Sequence, residues 1–407
     1  MKGYQFEDTQ GTFHLKKAEN ISYLYFPIAG EAGLKSSLTP NLGGDAKIDQ
    51  NTFLLEPVSA ENLVNNRNSR NFWCNVKGIG SWSLTGNAAE ALSKKFTEMQ
   101  DDSEVTAGFM WQKTTRESKK YQLRGEILSF IPVEKNVEVM LVTITNTGRM
   151  AQTVTPTAAI PLYGRSADNI RDHRHVTSLL HRIETTDTGV LVTSTLSFDE
   201  RGHQVNHMTY YCVGWSGNGE KPVDFYPTAE DFVGEGGNFE RPYAIVKKAE
   251  GVKAGTRIEG LEAVGGLHFS EVTLEPEEEC SYLIFTGITE DIQEIRNLSK
   301  TYTTREMVLE ELEKTKAYWQ EKVNVAYHTG DSDFNQFMHW VSFQPILRRI
   351  YGCSFLPHHD YGKGGRGWRD LWQDCLALLI MNPDGVRQMR LDNFAGVRVD
   401  GSNATII

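Results

Sequence analysis

Cysteine is scarce in this chain and poorly spaced for cross-linking: Cys74, Cys212, Cys280, Cys353 and Cys375 are odd in number, far apart and without paired metal-ligand spacing. They argue against a disulfide framework or a cysteine-held metal and read as small buried hydrophobes. No run of about 18 apolar residues exists, so no segment reads as a membrane helix. The start, Met1-Lys2-Gly3-Tyr4-Gln5-Phe6-Glu7, lacks the apolar core of a secretory signal, and a cytoplasmic protein is expected. Excess positive charge is also missing, since 42 Lys and Arg against 53 Asp and Glu leave −11 at pH 7. Most of such a surface repels nucleic acid and anionic membrane, so neither is an expected partner.

At 407 residues the chain has room for more than one core. Up to about residue 290 short strand-like segments alternate with glycine, asparagine, aspartate and proline turns, the pattern of a β-sandwich. Examples are Ile21 to Ile28, Val137 to Thr145, Val190 to Leu196, Thr209 to Trp215 and Tyr282 to Gly287. Apolar residues occupy nearly both faces of Val137 to Ile144, which places that strand between layers.

Beyond residue 290 the period becomes helical. Thr303 and Glu306 have capping-box spacing, Val308, Leu312, Thr315 and Trp319 form a stripe, and Glu310 and Lys314 are spaced to pair outside. Asp331 can cap a second helix striped by Phe334, Phe337, Met338 and Val341, with Pro345 expected to kink it. A third helix starts near Trp368 and ends at Asn382-Pro383, and a fourth stretch runs from Asp384 to Ala395. The expected organisation is an α+β multidomain chain, with a β-sandwich over 1–290, a helical linker over 291–330 and a helical domain over 331–407.

Gly362-Lys363-Gly364-Gly365-Arg366-Gly367-Trp368-Arg369-Asp370-Leu371-Trp372-Gln373-Asp374-Cys375 concentrates the chemistry. A basic glycine loop feeds a helix whose first turn carries Arg369 and Asp370, bringing cations, a carboxylate and a helix N-terminus to one spot. Trp368, Leu371, Trp372, Cys375, Leu376 and Leu379 follow a buried-stripe spacing, leaving Arg366, Asp370, Gln373 and Asp374 on the other arc. The arc is either a ligand site, with Asp370 accepting from sugar hydroxyls or orienting Arg369, or a surface carrying an Arg366–Asp370 pair. Gly362-x-Gly364-x-x-Gly367 also matches the dinucleotide fingerprint, but no strand precedes it and no βαβ alternation surrounds it. The polar run Tyr163 to His175 is read as a functional loop or a solvated one. Neither His173 with His175 nor His358 with His359 has a clear third ligand, so no metal is expected.

The stretch Gly367 to Asp374, its glycine-rich approach and the later Val399-Asp400-Gly401-Ser402-Asn403-Ala404-Thr405 resemble the start of the catalytic barrel in glycoside hydrolase family 94, the inverting β-glucoside phosphorylases. Trp-Arg-Asp-Leu-Trp-Gln-Asp, with His358-His359-Asp360 before it, looks most like the 1,2-β-oligoglucan branch. The resemblance implies a β-sandwich, a helical linker and an (α/α)₆ barrel, of which this chain would hold the first helices. It implies phosphorolysis of β-linked glucooligosaccharides to α-glucose 1-phosphate, with inorganic phosphate as co-substrate and no cofactor. Arg369 and Asp370 would hold the sugar on the non-reducing side of the cleaved bond, Arg366 or Lys363 would face phosphate, and Gln373 and Asp374 would orient Arg369. In similar enzymes a sandwich loop can reach a partner subunit's site, which makes a homodimer a further implication.

A closed barrel needs far more than the roughly eighty residues after Gly330, at about 11–12 residues per helix plus loops. The family's general acid belongs to a Trp-Asn-Asp type motif, which these 407 residues do not contain. The expectation is that this acid lies beyond residue 407. The alternative is a catalytically incomplete carbohydrate-binding or partner subunit of a split enzyme.

Overall fold

The computed structural model describes residues 3–403 apart from 22–23, 59–66, 68, 200–201 and 353–366. An eleven-stranded antiparallel sheet forms its largest layer, centred on Leu123–Phe130, Val137–Asn146, Glu279–Thr289 and Thr209–Ser216. A six-stranded sheet built around Gln152–Leu162 packs against it, and a four-stranded sheet runs from Phe26–Ala29 to Thr52–Leu55. Four single-turn helices, α1 (Ala89–Ser93), α2 (Arg174–Ser178), α3 (Ala229–Val233) and α4 (Tyr243–Lys247), interrupt the strand region.

Val137–Asn146 is buried along its whole length, as its two-sided apolar pattern requires. Met140, Val142 and Ile144 face the core between the sheets. Val137, Val139 and Leu141 face the other way, onto Ile295 and Leu298 of α5 (Ile292–Thr301) and Val308 and Leu312 of α6 (Arg305–Lys322). The strand therefore lies between a sandwich layer and a helical layer, because the helices take the cover that a further sheet would supply.

Local signals explain these helices. Asp291 starts α5 by accepting from the Gln293 amide at 2.8 Å. The buried residues of α6 are Val308, Leu312, Thr315 and Trp319, at the spacing read from the sequence. Its N-cap is Thr304, with no side-chain cap bond, and the Thr303 hydroxyl lies 3.2 Å from the Met307 sulfur, so the expected capping box is off by one residue. Lys314 pairs with Glu311 at 3.3 Å rather than with Glu310, the two spacings being neighbours on a helix surface.

Then follow α7 (Ser332–Tyr351), α8 (Trp368–Met381) and α9 (Val386–Phe394). Asp331 caps α7 through the Phe334 amide at 3.1 Å, and the helix continues through Pro345 to Tyr351. The expected stripe is not its core face, since Phe334, Phe337 and Val341 are exposed. Phe343, Ile346 and Leu347 are buried instead, together with Phe109 and Met110 of the sandwich and Trp319 of α6. A similar change of face occurs in α8, where Leu371, Cys375, Leu378 and Met381 are buried while Leu376 and Leu379 are exposed.

The helices are seated on the sandwich by polar as well as apolar contacts. Gly11, at φ +85° in a hairpin tip, donates to Gln336 Oε1 at 3.0 Å and accepts from Trp340 Nε1 at 2.8 Å. A Cβ there would stand 3.3 Å from Phe109 and 3.4 Å from Trp340, so both conformation and space favour glycine. Arg349 forks onto Glu31 at 2.9 and 2.5 Å, and the Tyr351 hydroxyl lies 2.9 and 2.6 Å from the carbonyl oxygens of Ile28 and Ser36.

Candidate functional site

Gly367 is the N-cap of α8 and contributes no side-chain cap. The Asp370 carboxylate folds back toward this end, for a Cβ placed on Gly367 would stand 2.6 Å from Asp370 Oδ2. Arg369 Nη2 contacts Asp370 Oδ1 at 3.2 Å, with side-chain exposures of 83% and 44%. The pair thus presents guanidinium donors and carboxylate acceptors together at an open surface, beside the positive end of a helix dipole. Such a set can hydrogen-bond several hydroxyls of a sugar ring.

Asp374 departs from the expected arc. It is buried between Leu371 and Leu378 on the packed face of α8, and both its oxygens accept from Arg348 Nε of α7, at 2.8 and 2.9 Å. Among the described residues Arg369 pairs with Asp370 and Arg348 with Asp374, so Asp374 ties α8 to α7. Three- and four-residue steps from Leu371 reach Asp374 and Cys375, which assigns the carboxylate to the apolar stripe. Gln373 is exposed. Arg366, Lys363, His358, His359, Asp360 and Cys353 lie outside the described residues.

Aromatic contacts hold the start of α8. Trp368 and Trp372 meet edge to face at 5.2 Å, and Phe394 of α9 lies 4.8 Å from Trp372. The side chain of Asn324, in the segment joining α6 to α7, reaches the Met381 carbonyl oxygen at 2.6 Å and holds the other end. Arg348 is the positioning residue that sequence reasoning missed. The available signal was a carboxylate inside an apolar stripe, which requires a cationic partner from a neighbouring element. In the later motif, Asp400 Oδ1 accepts from the Ser402 amide at 2.9 Å and its hydroxyl at 2.6 Å, a local turn, while Ala404 and Thr405 fall outside the described residues.

In the 163–175 segment Tyr163 to Ala167 and Asn169 are buried, while Asp172, His173 and His175 are exposed. Arg165 is buried, Arg174 pairs with Glu56, and His181 Nε2 lies 3.1 Å from the Tyr163 carbonyl oxygen. Burial, then the nearby Arg165 charge, lowers the His181 pKa to about 4, so the ring is neutral near pH 7. His173 and His175 stand with ring centroids 5.3 Å apart, and among the described residues no three His, Cys, Asp or Glu side chains form a metal-holding group. Cys74, Cys212 and Cys375 are buried and Cys280 is half-buried, all as free thiols.

Residues 57–305 match the family description "Glycosyl hydrolase 94, supersandwich domain". Two characterised relatives are similar over part of the chain. The cyclic beta-(1,2)-glucan synthase NdvB of Rhizobium meliloti is 27% identical over 47% of this chain and 6% of its own length. The 3-O-beta-D-glucopyranosyl-beta-D-glucuronide phosphorylase of Paenibacillus borealis is 22% identical over 70% of this chain and 34% of its own length. The chain therefore spans about a third or less of these relatives. Among solved structures, a bacterial glucoamylase complexed with acarbose superposes with TM-score 0.52 at 9% identity, over 94% of this chain and 52% of that one, a likeness of fold alone.

Proposed function

Because the chain belongs to glycosyl hydrolase family 94, its supersandwich domain being matched over residues 57–305, we propose that it is part of an inverting phosphorylase acting on β-linked glucooligosaccharides. The observation that carries this reading is the conjunction of that domain with the Arg369–Asp370 pair in the first turn of α8. The names of the relatives support β-glucosyl chemistry, one being a β-(1,2)-glucan synthase and the other a β-glucoside phosphorylase.

In the proposed reaction, inorganic phosphate attacks the anomeric carbon from one face while a carboxylic acid protonates the departing glycosidic oxygen on the other. The C–O bond to the leaving sugar breaks, a bond to phosphate forms, and α-glucose 1-phosphate results. Phosphate replaces the water and base of an inverting hydrolase. Asp370 accepts from sugar hydroxyls and Arg369 donates to them, while Arg366 or Lys363 neutralises phosphate. The general acid is assigned neither to Asp374, which is buried against Arg348, nor to Asp370, which this reading gives to sugar hydroxyls beside Arg369. It comes from polypeptide other than these residues.

The test is to incubate the whole protein, including the polypeptide that supplies the general acid, with phosphate and β-1,2-, β-1,3- or β-1,4-linked glucooligosaccharides and assay α-glucose 1-phosphate. Formation of the sugar phosphate supports the reading, and its absence with every β-glucan overturns it. Sugar binding without turnover would favour the incomplete binding-subunit alternative. A homodimer is a separate proposal, tested by sedimentation.

A further inference from the structure

The outer face of the six-stranded sheet carries a cleft of about 490 Å³, lined by Trp73, Asn75, Ile79, Ser81, Glu240 and Val246 together with the start of α1. None of its lining residues belongs to α5–α9. Its floor follows from strand alternation. Asn71–Val76 pairs with the outermost strand of that sheet, Gly80–Ser83, with Trp73 opposite Ser83 and Asn75 opposite Ser81. Phe72, Cys74 and Val76 enter the core between the sheets, so Trp73 and Asn75 take the other face.

Two floor groups have hydrogen-bonding capacity to spare. Trp73 is 2% exposed, and its indole Nε1 has no acceptor among the described residues. A buried N–H in that state is costly until an acceptor reaches it. Asn75 is half-buried, and its amide nitrogen donates to Ser81 Oγ at 3.2 Å and to the Ile245 carbonyl oxygen at 3.4 Å, which leaves Oδ1 to accept from elsewhere. Glu90, in contrast, is engaged by Lys94, Lys120 and Tyr121 at 2.7, 2.6 and 2.8 Å. Beside this polar floor Ile79 and Val246 are 44% and 40% exposed, which adds aliphatic surface to the lining. The exposed lining residues Glu240, Arg241 and Lys248 carry both signs of charge, so a neutral ligand meets no uniform field. A pyranose ring matches this mixture, since its C–H faces suit aliphatic side chains and its hydroxyls both donate and accept.

We propose that this cleft is a second carbohydrate-binding site, taking a neutral β-glucosyl segment; its ligand class rests on the reading of the α8 pair given above. One hydroxyl donates to Asn75 Oδ1, and ring C–H groups lie on Ile79 and Val246. Side-chain shifts of the kind common on binding bring a second hydroxyl oxygen to Trp73 Nε1 as its acceptor. The site retains glucan rather than cleaving it, so that a chain released from the α8 pair stays with the protein.

The test titrates the whole protein with β-1,2-, β-1,3- and β-1,4-linked glucotriose in a calorimeter, as wild type and as Asp370→Ala. Two binding events are expected, a tighter one lost in Asp370→Ala and a weaker one that survives it. Asn75→Ala should weaken the surviving event about tenfold, by removal of one hydrogen-bond acceptor, and leave the melting temperature nearly unchanged. Trp73→Phe keeps a ring, removes the N–H and should weaken the same event. Loss of all binding in Asp370→Ala, or a surviving event unchanged by Asn75→Ala, overturns the proposal and leaves the phosphorylase reading standing. No binding of any glucotriose by the wild type overturns both. Should Trp73→Phe not fold, the Asn75→Ala titration decides.

Discussion

Asp374 is 1% exposed while its partner Arg348 keeps 38% of its side chain in water, and that asymmetry gives the two deletions different costs. Arg348→Ala takes the guanidinium away from a buried carboxylate, whereas Asp374→Ala leaves a half-exposed cation that can turn outward. Urea unfolding should find Arg348→Ala the more destabilising, by about 2–4 kcal/mol against about 1–2 for Asp374→Ala. At Asp370, half-exposed and paired with exposed Arg369, Asp370→Ala should leave the melting temperature nearly unchanged and strongly weaken sugar binding in calorimetry. Unchanged affinity would remove Asp370 from the site. His181 sets an acid limit. Its folded pKa near 4 lies below the usual value near 6.5, so its contribution is full above about pH 6.5 and is lost as pH falls through 4. A series of melts from pH 7 to 4 should lose stability through this group, with the decline flattened in His181→Gln.

Among the elements, strands and helix faces were legible to different degrees. Val137–Asn146 and Thr209–Ser216 could be read because an apolar run bounded by turns has few other uses. The stripe of α6 could be read because its outer face is charged, so only one phase of the helix is apolar. In α7 and α8 apolar residues recur on more than one side, and periodicity alone cannot choose among them. The choice is made by what lies opposite: Phe13, Phe26 and Phe109 of the sandwich surround Trp340, and this turns Phe343 inward and Phe337 outward. The Arg369–Asp370 pair was readable from local spacing, but the assignment of Asp374 to Arg348 depends on another helix and was not. Trp340→Ala should therefore loosen α7 more than Phe337→Ala, by roughly 3 kcal/mol, visible as faster amide exchange along α7.

At the scale of the whole molecule, sandwich and helices share one core, since Ala29, Phe109 and Met110 pack in the same cluster as Trp319, Phe343 and Leu378. A single cooperative calorimetric transition is expected, and two separated peaks would show that the parts unfold independently. The Arg349–Glu31 pair adds a pH-dependent part. Burial raises the Glu31 carboxyl, but hydrogen bonding and attraction from Arg349 outweigh it and hold the group below its ordinary value. Its contribution, roughly 0.5–1 kcal/mol, is present above the unfolded pKa near 4.3 and disappears as pH falls through the lower folded value. Glu31→Gln should accordingly reduce stability at pH 7 and make little difference in strong acid.

The side chains that complete the hydrogen bonds of the hairpin tip at Gly11, Gln336 and Trp340, follow it by 325 and 329 residues. On a ribosome adding about 5–20 residues each second, that tip waits tens of seconds with its amide and carbonyl turned to water. An interruption of translation before residue 340 would thus release a chain whose Gly11 hairpin has nothing to clasp.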